Sequence, residues 1–353
     1  MAILNAVLTP AHVTAFGPGR VNLIGEHTDY NEGLALPFAI ADGVTVQASA
    51  IDGGRIEAAA LDLGERDSFE LASPERTEGW AAFVRGAVAE LQGAGIPVPA
   101  ASLEISGTVP RGAGLSSSAA LEVSLTLALI ALSDGAEPDR TDLAKLCSRI
   151  ENDWVGAQTG LLDQLASLFG EEGRALRIDF RSLDVAPVVL ELDGHKLVTL
   201  DSGEQHANVG SGYNERRREC ATACELLGIS SLRDATLGMA RRLPPPLDRR
   251  ARHVVSDNAR VEEAVEALHD HDLDRLGRLL GAAHASLRDD YEVSTPAVEA
   301  AVQRLKEAGA LGARIVGGGF GGHVLGLLAP DARPPDGAVE VHPGAGARVL
   351  EQH

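Results

Sequence analysis

At 353 residues and 44% hydrophobic content, the chain is long enough for one large or two ordinary domains with full cores, and it reads as soluble and globular. Its formal charge of −20 excludes nucleic acid as a natural partner, since binding a phosphate backbone needs a basic face. The same charge requires any anionic substrate to find local positive potential inside an acidic protein.

The first residues, "MAILNAVLTPAHVTAF", carry no basic side chain ahead of His12, so the charged start of a signal peptide is missing. Next comes "GRVNLIGEHTDYNEG" (Gly19 to Gly33), which starts like a strand, with Val21, Leu23 and Ile24 around Asn22. It then crowds Glu26, His27, Asp29 and Tyr30 into five positions, with Arg20 just ahead of the apolar run. A polar turn explains such a stretch, because Asp, Asn and Gly favour turns. So does a ligand pocket, where converging polar groups on a rigid frame give specificity.

"GVTVQASAI" (Gly43 to Ile51) alternates with the period of a strand, and "RIEAAAL" follows as its expected partner. "GWAAFVRGAVAEL" places Trp80, Phe83, Val84, Ala87, Val88 and Leu91 on one helical stripe. "ASLEISGTVP" reads as a strand leading into "RGAGLSSSAALEVSLTLALIAL", a Gly-rich loop and then a helix apolar nearly all round, hence buried. Its longest apolar run, Leu125 to Leu132, is far too short to span a bilayer. Another helix is expected from Thr141 to about Gly156, and "ALRIDF" and "HKLVTLDSG" read as strands.

From about Ser211 the texture is more helical, with "GYNERRRECATACELLG" and an arginine-rich region interrupted by Pro244 to Pro246, which belong in a loop. "GARIVGGGFGGHVLGLLAP" and "AVEVHP" return to strands. The pattern predicts an α+β protein of two lobes, residues 1–192 and 193–353, with mixed sheets and helices. Three cysteines make an odd count without zinc spacing, and Cys220 and Cys224 read as reduced thiols of a cytoplasmic protein. Nothing in the sequence sets an oligomeric state; a monomer is compatible with it.

The strongest chemical signal is "PRGAGLSSSAAL" (Pro110 to Leu121). Gly112 and Gly114 let backbone amides approach an anion, and the loop opens into a helix whose N-terminus offers free N–H groups and roughly half a positive charge. Ser116, Ser117 and Ser118 add hydroxyl donors, or a ligand for Mg²⁺. This is not a Walker loop, because the Gly-Lys-Ser/Thr ending is missing. Loop amides, a helix dipole and a metal can hold ATP without a basic surface, which answers the charge problem.

In "IENDWVGAQTGLLDQLASLFG", Glu151 and Asp163 stand twelve residues apart across a bend at Gly156 to Gly160. Near a phosphate site they could act as a Mg²⁺ ligand and as a base for a substrate hydroxyl. Taken alone, a solvated glutamate and a helix-capping aspartate is the simpler explanation. In "GGGFGGHVLGLL" (Gly317 to Leu328), five glycines around Phe320 imply either close backbone approach or a flexible hairpin.

Together these segments resemble the GHMP kinase superfamily and, within it, the galactokinases. "GRVNLIGEHTDYNEG" is similar to the galactokinase signature almost letter for letter. "PRGAGLSSSAAL" is similar to the superfamily's phosphate loop, "GLLDQ" to the segment with the catalytic aspartate, and "GARIVGGGFGG" to the third motif. "SGYNERRREC" and "ASLRDDYEVS" also look like galactokinase. The resemblance runs from about Phe16 to Gly322 and, more weakly, to Val349.

It implies a two-lobed GHMP kinase fold with the active site in the cleft between lobes. It also implies ATP-dependent phosphorylation of α-D-galactose at C1, giving galactose 1-phosphate and ADP. By the same resemblance Glu26, His27, Thr28 and Asp29 read the sugar, with the Gly160 backbone and Tyr213 completing the pocket. Asp163 accepts the C1 hydroxyl proton, and Arg20 pairs with it and offsets charge on the moving phosphoryl group. Gly112, Ala113, Gly114, Leu115, Ser116, Ser117 and Ser118 wrap the phosphates, Ser118 and Glu151 hold Mg²⁺, and Trp80 lies near the adenine.

The chain departs from the family at Leu161–Leu162 (usually Ile-Met), at Ile315–Val316 (Met-Thr), and at His323 and Thr295, both often Cys. None of these changes removes a catalytic group. Two alternatives share the machinery: a kinase of another sugar, such as N-acetylgalactosamine or arabinose, and a sugar- and ATP-binding regulator without transfer. The intact set Arg20, Ser118, Glu151 and Asp163 weighs against the regulator, and "GEHTDY" weighs against a mevalonate or homoserine kinase.

Overall fold

The computed structural model describes residues 12–109, 114–204 and 209–353, with the backbone alone at 209–211. Strand β1 (His12–Asn22) is buried along nearly its whole length. After the two-residue β2 (Leu34–Ala35) it pairs antiparallel with β3 (Pro37–Ala50). The register shifts between Pro18 and Arg20, where proline has no N–H to give the ladder. Such irregularities re-aim the side chains that follow them, and Arg20 is the next polar one.

β4 (Arg55–Ala60) and β5 (Glu65–Glu70) form a hairpin, and α1 (Trp80–Gly93) leads to β6 (Ala101–Gly107). Here the expected pairing is corrected. "RIEAAAL" is not the neighbour of β3; β6 lies between them, antiparallel to β3 and parallel to β4. Alternation marks a strand and its buried face, but it does not name the strand beside it.

Helix α2 (Ser117–Leu132) is buried on every side, as its all-round apolarity requires, and lies against β1 and β3. A β-carbon on Gly17 would stand 2.3 Å from the Ala120 carbonyl oxygen, so only glycine lets the first turns of α2 settle on β1. Gly17→Ala is therefore expected to lower stability by about 1–3 kcal/mol, measured as a reduced denaturation midpoint.

The helix predicted from Thr141 to about Gly156 is α3 (Arg140–Arg149) followed by a π-helical turn, Ile150–Val155, which carries Glu151. Such turns are frequent at functional sites. The chain continues through α4 (Leu162–Phe169), β7 (Arg174–Asp179) and β8 (Asp184–Val189); the last two join β2 in a small sheet. Then follow β9 (Lys196–Asp201), α5 (Val209–Leu227), α6 (Leu237–Ala240), α7 (Leu247–His269), α8 (Leu273–Asp289) and α9 (Pro296–Glu307). Pro244 to Pro246 occupy the connection between α6 and α7, as expected. Strands β10 (Ala310–Ile315), β11 (His323–Leu328) and β12 (Ala338–Glu340) assemble with β9 into an antiparallel sheet of order β10-β11-β9-β12.

The last strand, β13 (Arg348–Gln352), returns to pair with β1, Val13 opposite Gln352, giving the large mixed sheet β13-β1-β3-β6-β4-β5. A division at residue 192 thus separates β13 from its own sheet. One apolar core also crosses that division, with Leu23, Ile24 and Phe38 packed among Val261, Leu276 and Leu280. No helix among the described residues is long and apolar enough to cross a membrane.

Candidate active site

Asp163 stands in the first turn of α4, where a carboxylate is favoured by the exposed N–H groups of the helix start. Its Oδ1 accepts a hydrogen bond from Arg20 Nε at 2.7 Å and lies 2.7 Å from Arg20 Nη2. Its Oδ2 accepts from the Ser116 hydroxyl at 2.7 Å. Arg20, only 6% exposed, also donates to the Gly114 carbonyl. Burial by itself lowers the Arg20 pKa, but Asp163, Glu26 and Asp29 outweigh it and hold the guanidinium firmly charged. Ser116 has φ of 65°, a left-handed conformation that costs a non-glycine residue of order 1 kcal/mol and turns its hydroxyl onto Asp163.

Beside this pair lies a cavity of about 330 Å³, lined by Glu26, His27, Asp29, Gly160 and Tyr213 together with Arg20 and Asp163. That volume suits a small polar ligand. Glu26 Oε1 accepts from the Gly317 N–H at 2.8 Å and pairs with Arg314 at 3.0 Å, so the third motif braces the first. His27 Nδ1 lies 2.9 Å from the Tyr30 hydroxyl, which lies 2.9 Å from that of Tyr291, itself 3.1 Å from Cys220 Sγ. Burial lowers the His27 pKa to about 3, helped by the nearby His253, so the imidazole is neutral at ordinary pH.

Desolvation pushes the Asp29 carboxyl up to about 7, with Asp163 and Glu26 adding to it. A β-carbon on Gly160 would fall 1.9 Å from Asp29 Oδ2, so this glycine lets the Gly156–Gly160 loop close over the carboxylate. Thr28 differs from the expectation. Its hydroxyl lies 3.0 Å from the Gly25 carbonyl and 2.7 Å from that of Leu34, fully buried, and closes the turn instead of facing the cavity. Asn214, next to Tyr213 on α5, also lines the cavity; the segment "SGYNERRREC" is marked by the resemblance, but only Tyr213 takes a role from it.

Ser117 and Ser118, at the start of α2, open onto a second cavity of about 800 Å³, whose other walls include Trp80 and Phe83. Trp80 donates its indole N–H to Glu65 Oε2 at 2.6 Å. It stands half-buried at the start of its helical stripe, in one cavity with the serines. Leu115 is buried, and its carbonyl accepts from the Arg20 N–H at 3.1 Å. Gly112 and Ala113 lie outside the described residues.

Ser118 donates to Glu151 Oε1 at 2.8 Å, while Thr159 and Gln164 donate to Oε2 at 2.7 Å and 2.9 Å. Burial and the charge of Asp163 raise the Glu151 pKa against those three bonds. Among the described residues no group of three His, Cys, Asp or Glu side chains is placed to hold a metal. A hydroxyl and one carboxylate oxygen are nevertheless the hard donors that Mg²⁺ takes when phosphates supply further ligands.

The glycines of the third motif serve close approach. A β-carbon on Gly317 would stand 3.3 Å from the Gly114 carbonyl, and one on Gly319 2.6 Å from Val293. His323 opens β11 opposite Asp201, and Thr295 caps α9 while donating to Glu204 at 2.6 Å.

Comparison with known proteins finds relatives along most of the chain. Residues 6–50 match the galactokinase galactose-binding signature, residues 82–171 the GHMP kinases N terminal domain, and residues 264–342 the GHMP kinases C terminal domain. A galactokinase of Mycobacterium tuberculosis (strain ATCC 25177 / H37Ra) is 44% identical over 325 residues, 89% of this chain and 88% of that protein. That of Thermotoga neapolitana is 39% identical over 311 residues, 87% of each. Among solved structures, Lactococcus lactis galactokinase complexed with galactose superposes with a TM-score of 0.89 at 33% identity, covering 96% of this chain and 95% of that one. Methanococcus jannaschii mevalonate kinase, 18% identical with a TM-score of 0.68, shares the fold alone. With relatives this similar along most of its length, the chain belongs to the galactokinase family of the GHMP kinase superfamily, a family of phosphotransferases.

Proposed function

We propose that the protein is an ATP-dependent galactokinase that phosphorylates α-D-galactose at its C1 hydroxyl. The observation that carries this reading is the position of Asp163. It is bonded on one side to Arg20, at the wall of the cavity that Glu26, His27 and Asp29 line, and on the other to Ser116 of the serine loop. A sugar held by the first set presents a hydroxyl to the carboxylate. The second cavity, with Trp80 on its wall and the start of α2 at its edge, is the place for ATP.

The C1 oxygen attacks the γ-phosphorus, the bond to the β-phosphate oxygen breaks, and the hydroxyl proton passes to Asp163. A carboxylate already paired with Arg20 is a weak base. That suffices for a loose transition state, which needs little prior deprotonation. Arg20 offsets the charge that develops on the transferring group. Ser118 and Glu151 would hold Mg²⁺, which supplies charge neutralisation at the phosphates.

Release of ADP measured over a panel of galactose, N-acetylgalactosamine, arabinose and glucose tests the reading, with galactose the best acceptor. Turnover of another sugar with galactose inert would replace the substrate, and turnover of none would favour a binding protein. Within the same site, Glu151→Gln is expected to weaken Mg²⁺ dependence and turnover while calorimetric galactose affinity stays nearly intact. Lost galactose binding with normal Mg²⁺ activation would sink the metal assignment.

A further inference from the structure

We infer that Thr159 and Gln164 are positioning residues that leave Glu151 a single oxygen for a metal ion, and so set the site against cations that favour two carboxylate oxygens, Ca²⁺ first. The inference rests on the reading that Ser118 and Glu151 hold Mg²⁺.

A carboxylate oxygen has two in-plane lone pairs. On Glu151 Oε2 both are taken, by the Thr159 hydroxyl at 2.7 Å and the Gln164 amide at 2.9 Å. Among the described residues Oε1 accepts only from Ser118, at 2.8 Å, which leaves one lone pair on the side of the serine hydroxyl. The carboxylate therefore offers one oxygen and withholds the other.

The withholding is built from three separate elements. Gln164, in α4 and fully buried, also donates through Nε2 to Glu122 Oε2 at 3.1 Å, and Glu122 is fully buried within α2. Both protons of one amide group are thereby committed between two carboxyl groups, which fixes which way the amide points. A flipped amide would set its oxygen against theirs. Thr159 belongs to the Gly156–Gly160 loop, and its own N–H is held by Asn152 Oδ1 at 2.9 Å. Buried polar groups need partners, yet nothing requires two of them to converge on the carboxylate oxygen turned away from Ser118. What the convergence achieves is rotational locking. Mg²⁺ takes single oxygens from one or two carboxylates in strict octahedral order, whereas Ca²⁺ accepts more ligands and readily uses both oxygens of a carboxylate.

The test is calorimetric binding of the Mg²⁺ and Ca²⁺ complexes of a non-hydrolysable β,γ-imido ATP analogue to the full chain. The unaltered protein should prefer the Mg²⁺ complex. In Thr159→Val and in Gln164→Met the preference should shrink by roughly ten- to a hundred-fold, chiefly through gained Ca²⁺ affinity, while Thr159→Ser keeps it. An unchanged preference in both variants overturns the inference, as does a parallel loss for the two metals. If Gln164→Met fails to fold, the loop variant Thr159→Val decides alone. Should the unaltered protein bind the analogue equally well with no divalent metal, the metal reading itself falls, and this proposal with it.

Discussion

Asp163→Asn is expected to lower turnover by at least about 10²–10⁴-fold while galactose and ATP still bind. Asparagine fits the existing contacts. Its Oδ1 can accept from Arg20 as the aspartate Oδ1 does, and its amide can donate to Ser116, whose hydroxyl is free to turn round. What it cannot do is take a proton, so the loss isolates chemistry from architecture. Arg20→Ala should also be severe, since it strips Asp163 of its counter-charge and Gly114 of a donor. Because the two side chains serve one step, the double variant should be far less impaired than the product of the single losses. Stopped-flow or steady-state rates on the four proteins measure this directly. Multiplicative losses would mean that the pair does not act together, and near-normal turnover in Asp163→Asn would remove the base from the mechanism.

The second large effect is expected at Asp29, where binding and stability should move in opposite directions. The folded-state pKa near 7 stands above the ordinary 3.8, so between those values the folded protein keeps a proton that the unfolded chain releases. Stability contributed by this group is therefore present below about pH 4 and lost as pH rises toward 7. Asp29→Asn removes that loss. Its melting temperature should exceed the parent's at pH 8, and the difference should vanish near pH 4. Galactose affinity should fall by about 1–3 kcal/mol, because a hydroxyl loses its charged acceptor, and less for an analogue lacking that hydroxyl. Thermal scans at the two pH values and calorimetry check both halves. A variant no more stable at pH 8 that binds both sugars as the parent does would show that Asp29 only shapes its loop.

Much of the fold could be read from periodicity, and its failures share one cause. The stripe of α1, the alternation of β3 and the all-round apolarity of α2 each report the surroundings of a single element, and each is found as expected. Which strand lies beside which is a relation between elements. It escaped for β4, displaced from β3 by β6, and for β13, which returns to β1 from the far end of the chain. In the site, the signature segment held its charged residues together, but its letters did not separate ligand-facing groups from turn-closing ones. Thr28 is one of the latter. Thr159 and Gln164 carry no periodic signal at all. Glu122 did leave a trace, since a glutamate inside a helix apolar nearly all round must find a partner or stay protonated, and its pKa is pushed well up by burial.

The pairing of β13 with β1 sets a timetable for synthesis. The ribosome delivers roughly 5–20 residues each second. Val13 to Phe16 therefore wait tens of seconds for residues 348–352 to emerge, and in that interval they form an open edge beside β3. Open edges recruit other strands. A nascent chain that stalls late, with every catalytic group already made, would still expose this edge of the strand that carries Arg20, so a shortage of chaperone should cost the cell more of this protein than its finished stability implies.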